Sequence, residues 1–161
     1  MMVNFDEMSN DSRIWIYQSN RKFSQSEENE ISIKIQTFLK DWTAHGSNLF
    51  SSYCIRYNRF IVIALNETKN KATGCSIDAS VALIQSLEKD YGIDLLDKMN
   101  VSFKQGDYIS YKSIIDFKNL IKDKSVSKNT IVFNNLVTDI SDFKNNWEIP
   151  AYKSWHSRLF L

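Results

Sequence analysis

The chain has 161 residues, enough for one folded domain, and its 43 % apolar content is sufficient for a hydrophobic core. Its 20 basic and 19 acidic residues leave a net charge near zero. That balance excludes an electrostatic case for binding nucleic acid or an anionic membrane. No segment approaches the roughly 20 consecutive apolar residues of a membrane span. We therefore expect a soluble protein with a single domain over residues 1–161.

The N-terminus and the cysteine content both favour a reducing, cytoplasmic location. Residues 1–11 are polar and acidic and lack the regions of a secretory signal, so we expect this segment to be loose. Cys54 and Cys75 form no Cys-x-x-Cys pair, and His45 and His156 are too few for a zinc site of four ligands close in sequence. We expect neither a metal nor a cofactor.

The first predicted elements are a strand and a helix. Residues 13–18 form a short aromatic and β-branched run that is typical of a buried strand. Ser24 and Glu27 then stand at the spacing of a capping box, in which each side chain bonds a free backbone N–H at the helix start. Apolar residues recur at helical spacing as far as Trp42, and Gly46 suits a left-handed helix end. This pattern predicts a helix that ends within residues 44–46.

A hairpin and a second helix follow. Two strand-like runs, residues 53–57 and 60–65, are separated by only two residues, and the second run is apolar throughout, as in a central strand. A helix is predicted from Cys75 or Ser76, with Ser76 as its N-cap, to a stop at Tyr91-Gly92.

The predicted fold class is α/β (α+β), with a ferredoxin-like β-α-β-β-α-β sandwich and a C-terminal extension. Residues 101–103 are the fourth strand candidate, extended by residues 108–111. This order gives an antiparallel sheet with both helices on one face. We place the sandwich core in residues 12–111. Residues 112–161 are an extension that we expect to pack on it, because exposing its aromatic tail to water would be costly.

The segment Gly74-Cys75-Ser76-Ile77-Asp78 carries the most chemistry. At a helix N-terminus, free N–H groups and the helix dipole favour negative charge, so a Cys75 thiolate is stabilised there, or a ligand carboxylate or phosphate is held. The alternative is structural: Ser76 is only a cap, Asp78 a first-turn acid and Cys75 a small buried residue.

Both histidines have a functional and a structural interpretation. His45 is the candidate base for Cys75, but at the end of the first helix it would lie away from the start of a parallel second helix, where it bonds the last carbonyls instead. Trp155, His156 and Arg158 offer indole, imidazole and guanidinium donors to an anion. The alternative is a tail in which Trp155 packs while its polar neighbours face water.

Five segments resemble a family of small bacterial proteins of about 160 residues that carries the label ABC transporter ATPase. They are residues 13–18, 42–46, 74–78, 100–103 and 153–158. The label implies an ATPase. The chain has no Walker A loop, no Gly-x-Gly-x-x-Gly run and no Leu-Ser-Gly-Gly-type signature. The resemblance therefore assigns a catalytic role to no residue here.

Two hypotheses of function follow. The first is a binding module that recognises a small anionic ligand or a protein partner through Ser76, Asp78, Trp155, His156 and Arg158. The second is a thiol-dependent enzyme or redox sensor that uses Cys75 as nucleophile and His45 or His156 as base. A homodimer is compatible with either hypothesis.

Overall fold

The structure, a computed structural model that describes residues 1–161, is a mixed α+β chain with antiparallel sheets. The chain divides into two units, each with its own hydrophobic core. Unit 1 contains Met1–Leu96 and Thr138–Ser141, and unit 2 contains Asp97–Val137 and Asp142–Leu161. None of the helices combines the length and the apolar character that crossing a membrane requires.

Unit 1 is built on a three-stranded antiparallel sheet in the order β1-β5-β4. Its elements are β1 (Arg13–Gln18), α1 (Gln25–Lys40), β2 (Thr43–Ala44), β3 (Ser47–Asn48), β4 (Phe50–Arg56), β5 (Phe60–Asn66) and α2 (Gly74–Tyr91). Residues 60–65 of β5 are all buried, which confirms that this apolar run is the central strand. Alternate β5 residues Ile61, Ile63 and Leu65 pack in one cluster with the apolar residues of both helices.

The predicted capping box at the start of α1 is confirmed. The Glu27 amide donates to the Ser24 hydroxyl over 3.1 Å, and the Ser24 amide donates to the Glu27 carboxylate over 2.8 Å. The Arg21 guanidinium donates to both Glu27 oxygens at 2.8 Å and also to the Tyr91 carbonyl. The hydrogen bond from Arg21 lowers the pKa of Glu27 to about 2. Arg21 thereby ties the start of α1 to the end of α2.

The predicted end of the first helix at residues 44–46 is wrong. The last residue of α1 is Lys40, and the chain then forms the small hairpin of β2 and β3. Its turn residues, His45 and Gly46, have φ values of 52° and 78°. Positive φ at both central residues is the geometry of a tight hairpin whose twist matches that of its strands. Trp42 kept the helical spacing of the apolar residues, so spacing alone did not show that the backbone had turned.

The ferredoxin-like order is not confirmed, because the expected fourth strand joins another sheet. Residues 100–105 pair with residues 108–113 across a tight turn in which Gly106 has φ of 63°, and Phe103 pairs with Val132. Beside β1, the outer edge of the unit 1 sheet has only an isolated bridge between Arg13 and Asp139. A hairpin closes a much shorter loop than a return to β1 would, so the local pairing is the cheaper one.

Unit 2 contains a four-stranded antiparallel sheet in the order β7-β6-β8-β9. Its elements are β6 (Asn100–Gln105), β7 (Tyr108–Ser113), α3 (Ile114–Lys122), β8 (Ile131–Phe133), α4 (Ile140–Asn146, with its first two residues in unit 1) and β9 (Glu148–Pro150). Two short 3₁₀ segments, Ala151–Lys153 and Trp155–Phe160, end the chain. Unit 2 begins at Asp97, because β6 pairs with β7 and β8.

The N-terminal segment, predicted to be loose, is bound along the edge of β4. The Val3 amide donates to the Ser51 carbonyl and the Ser51 amide donates to the Met1 carbonyl, both over 3.0 Å. The Met1 ammonium donates to the Leu49 carbonyl over 2.7 Å, and Met8 is buried. The physical reason is that an edge strand presents unpaired backbone groups, which an extended segment can satisfy.

Candidate functional site

The start of α2 is capped one turn earlier than predicted. The N-cap is Thr73, and Ser76 is its partner in a capping box. The Ser76 amide donates to the Thr73 hydroxyl over 3.1 Å, and the Thr73 amide donates to the Ser76 hydroxyl over 2.7 Å. The sequence signal for this cap was Thr-x-x-Ser, in which serine replaces the usual glutamate or glutamine. Ser76 is therefore a buried structural residue and its side chain is already bonded.

Two amides of the first turn of α2 remain without an acceptor. The amides of Ser76 and Ile77 are bonded to Thr73, whereas those of Gly74 and Cys75 have no hydrogen bond. Such bare N–H groups, together with the helix dipole, give the N-terminus a partial positive charge. The predicted helix start with free amides is thus present at Gly74 and Cys75.

A groove of about 460 Å³ lies against these amides. The first turn of α2 forms one wall with Thr73, Cys75 and Ser76, and the end of α1 and the β2–β3 hairpin form the other. Cys75 and His45 both line the groove and both are exposed. Asp78 is exposed but does not line it.

The hairpin is what brings His45 to this groove. In the predicted fold His45 ended a helix and pointed to the carbonyls there, at a distance from the start of the second helix. In the structure the chain reverses at His45, and Trp42 anchors the hairpin to α2. The buried Trp42 indole N–H donates to the Ser76 carbonyl over 2.9 Å, and its ring packs on Trp15 and Phe38. Sequence reasoning missed this anchor because the pattern assigned Trp42 to a helix.

The C-terminal cluster is organised as packing rather than as a binding surface. His156 is 1 % exposed, and its Nδ1 lies 2.6 Å from the Ser154 hydroxyl. The Trp155 ring stacks on the imidazole at 3.9 Å, and Phe117 meets it edge-on. Burial lowers the pKa of His156 to about 4, so the ring is neutral at pH 7. Of the three predicted ligand-binding residues here, only Arg158 is exposed.

The two cysteines differ in exposure. Cys54 is buried in β4, and burial raises the pKa of its thiol to about 12, so it is an unreactive residue at neutral pH. Cys75 is exposed. No group of three or more His, Cys, Asp or Glu side chains stands close enough together to hold a metal ion.

The fold and the site define a mixed α+β protein with an open groove that presents bare amides, a thiol and an imidazole. Comparison of the chain with known protein families, curated proteins and solved structures finds no match. The resemblance to the family labelled ABC transporter ATPase stays a prediction, and no activity is taken from it.

Proposed function

We propose that the chain is a binding module that holds a small ligand with one anionic group in the groove at the start of α2. The observation that carries this proposal is the pair of bare amides, of Gly74 and Cys75, at the edge of that groove. Helix N-termini bind carboxylates and phosphates through such amides. The His45 imidazole on the opposite wall adds a hydrogen-bond donor.

The lining of the groove narrows the ligand class. A volume of about 460 Å³ lies in the range of small-molecule sites. Asp41 also lines the groove, and its carboxylate repels a second negative charge. We therefore favour a small carboxylate that also carries a cationic or hydrogen-bond-donating group toward Asp41. No contact in the structure supports a protein partner or a homodimer in the same way. The four-stranded ferredoxin-like order is likewise without support from a strand pairing.

Removing one amide without moving the helix tests this function. Gly74 is the first helical residue, Thr73 before it is extended with ψ of 167°, and a Cβ at Gly74 meets no atom within 4 Å. A proline is compatible with these conditions and deletes the N–H, whereas alanine keeps it. With acetate as probe, we expect Gly74→Ala to retain the acetate-induced rise in melting temperature and Gly74→Pro to lose at least about half of it.

The same melting experiment includes a matched surface variant and a clear negative outcome. Asp78→Asn removes a negative charge on the same helix, outside the groove. Its acetate-induced rise in melting temperature should therefore exceed that of the parent only by a long-range electrostatic effect. An equal acetate response in Gly74→Pro and Gly74→Ala, or no response in the parent protein, would remove the basis of the proposal.

The second candidate function is thiol chemistry at Cys75, favoured by the shared groove of Cys75 and His45. In such a reaction the imidazole takes the thiol proton, and the thiolate attacks an electrophilic carbon. With iodoacetamide a C–S bond forms and iodide leaves. We expect Cys75 to alkylate in the folded protein, and His45→Asn to slow that alkylation at pH 7.

The alkylation experiment is specific because Cys54 is buried. Mass spectrometry of the intact protein should find one modified thiol, and the Cys75→Ala variant should find none. Asparagine tolerates the positive φ of 52° at His45, so the hairpin is retained in the variant. An equal alkylation rate in the parent and His45→Asn would leave Cys75 as an ordinary surface thiol.

A further inference from the structure

Arg59 is a buried cation with no counter-ion. It ends the turn between β4 and β5 and is 8 % exposed. Its backbone is fully used, since its amide donates to the Arg56 carbonyl and its carbonyl accepts from the Ser19 amide over 2.8 Å. Its guanidinium takes part in none of the ion pairs of the chain, and its Nε is buried without an acceptor.

A buried, charged side chain without a partner lowers the stability of the folded state unless a ligand binds it. A buried polar group without a partner loses its hydration and gains no bond in return, and for a charged group the cost is larger. Burial accordingly lowers the pKa of Arg59. Replacing buried charges by apolar side chains of similar volume is often neutral or stabilising. Packing therefore gives no reason for an arginine here, whereas a planar guanidinium is well suited to carboxylate and phosphate.

The loops around Arg59 are held together without an ion pair to its guanidinium. The loop after β1 is clamped onto the β4–β5 turn by the bond from Ser19 and by the Phe23 amide, which donates to the Asn58 carbonyl over 2.7 Å. Glu27 is paired with Arg21 and Glu28 accepts a hydrogen bond from the Asn58 side chain, and neither carboxylate forms an ion pair with Arg59. Arg59 Nε is buried without an acceptor, so a ligand can approach Arg59 only through the 8 % of the residue that is exposed.

This region lies at the end of unit 1 remote from the groove. Asn20, next to Ser19, exchanges hydrogen bonds with Asp94, which follows the C-terminal end of α2. The groove is at the other end of that helix, whose 18 residues span roughly 27 Å. A ligand at Arg59 is therefore a different ligand molecule from one in the groove.

We propose that Arg59 binds a small oxyanion, a phosphate or carboxylate group, where the loop after β1 meets the β4–β5 turn. A doubly charged phosphate is preferred over a carboxylate, because it brings more negative charge and more acceptor oxygens to a guanidinium that has no ion pair. This site is independent of the function proposed for the groove.

Inorganic phosphate is the probe. The melting temperatures of the parent protein, Arg59→Met and Arg59→Lys are measured with and without added phosphate, in a buffer that contains no other oxyanion. We expect about 20 mM phosphate to raise the melting temperature of the parent by roughly 3 °C and that of Arg59→Met not at all. Arg59→Lys keeps the positive charge but lacks the planar guanidinium with its paired N–H donors, so we expect it to retain less than half of the phosphate-induced rise. Without phosphate, Arg59→Met should melt at or above the parent temperature.

Three results would overturn the proposal. They are an equal phosphate response in Arg59→Met, no response in the parent, and a variant Arg59→Met that melts far below the parent or fails to fold, since that would assign Arg59 to packing. Acetate and phosphate are each tested on both site variants. A phosphate response that survives Gly74→Pro, together with an acetate response that survives Arg59→Met, separates the two sites, so either proposal can fail alone.

Discussion

Acidification from pH 7.5 to pH 4.5 is expected to remove roughly 2–3 kcal/mol of unfolding free energy through His156 alone. Burial lowers the pKa of this imidazole from 6.5 to about 4 in the folded chain. Between these two values the unfolded chain binds a proton that the folded chain does not. The stabilising contribution is therefore complete above pH 6.5 and is lost as the pH falls toward 4.

The packing around His156 explains why the folded state excludes the proton. The ring is enclosed by Trp155 and Phe117, and Ser154 lies within hydrogen-bond distance of its Nδ1. No carboxylate forms an ion pair with His156, so a charged imidazole would have no partner to offset its loss of hydration. Protonation of His156 therefore opposes the packing of the C-terminal segment in the core of unit 2.

Urea denaturation of the parent and of His156→Phe at the two pH values measures this contribution. Phenylalanine suits an aromatic environment and does not titrate, so the variant should lose stability less steeply with acid than the parent. Since the chain contains only two histidines, His45→Asn is the matched control: His45 is exposed, and its variant should follow the parent. Equal pH slopes for the parent and His156→Phe would show that His156 titrates normally in the folded chain.

The sequence predicted best those features that depend on short-range physics. The capping box of Ser24 and Glu27 satisfies backbone groups within one turn, so its pattern is sufficient to predict the start of α1. The apolar run of β5 predicted a central strand because only a strand buried on both faces tolerates such a run. Both predictions needed no knowledge of distant partners.

Strand pairings between distant parts of the chain could not be predicted from the sequence in the same way. The alternation in β6 fits any neighbouring strand, and the sequence does not say that β7 and β8, rather than β1, provide it. Trp42 had the spacing of a helical residue, and the turn after it is His45-Gly46 instead of the more recognisable Asn-Gly. The expected separation of His45 from Cys75 followed from that one error.

The site was predicted in part for a related reason. The exposure of Cys75 and the free amides beside it follow from the helix start, which the sequence marks to within a few residues. Burial of His156 depends on which aromatic rings pack over it. The lack of an ion pair at Arg59 depends on which partners the nearby acidic side chains bind. A charged residue that directly precedes the apolar strand was the available signal for Arg59.

Replacing Trp42 is expected to disrupt both the core of unit 1 and the groove. Trp42 is 3 % exposed and packs in the core beneath the hairpin, so Trp42→Ala should cost about 3–5 kcal/mol of unfolding free energy. Trp42→Phe keeps most of the apolar contact and loses the indole bond to the Ser76 carbonyl, for a smaller cost of about 1–2 kcal/mol. Urea denaturation at neutral pH measures both.

The phenylalanine variant separates anchoring of the hairpin from general stability. Without the indole bond, the hairpin that carries His45 is no longer fixed to the first turn of α2, so we expect a weaker acetate response and a slower alkylation of Cys75 at pH 7. Trp15→Phe is the control, because Trp15 packs edge-on against Trp42 but does not line the groove. If both variants lose equal stability and neither alters the groove, Trp42 acts only through packing, and the position of His45 is set by the turn itself.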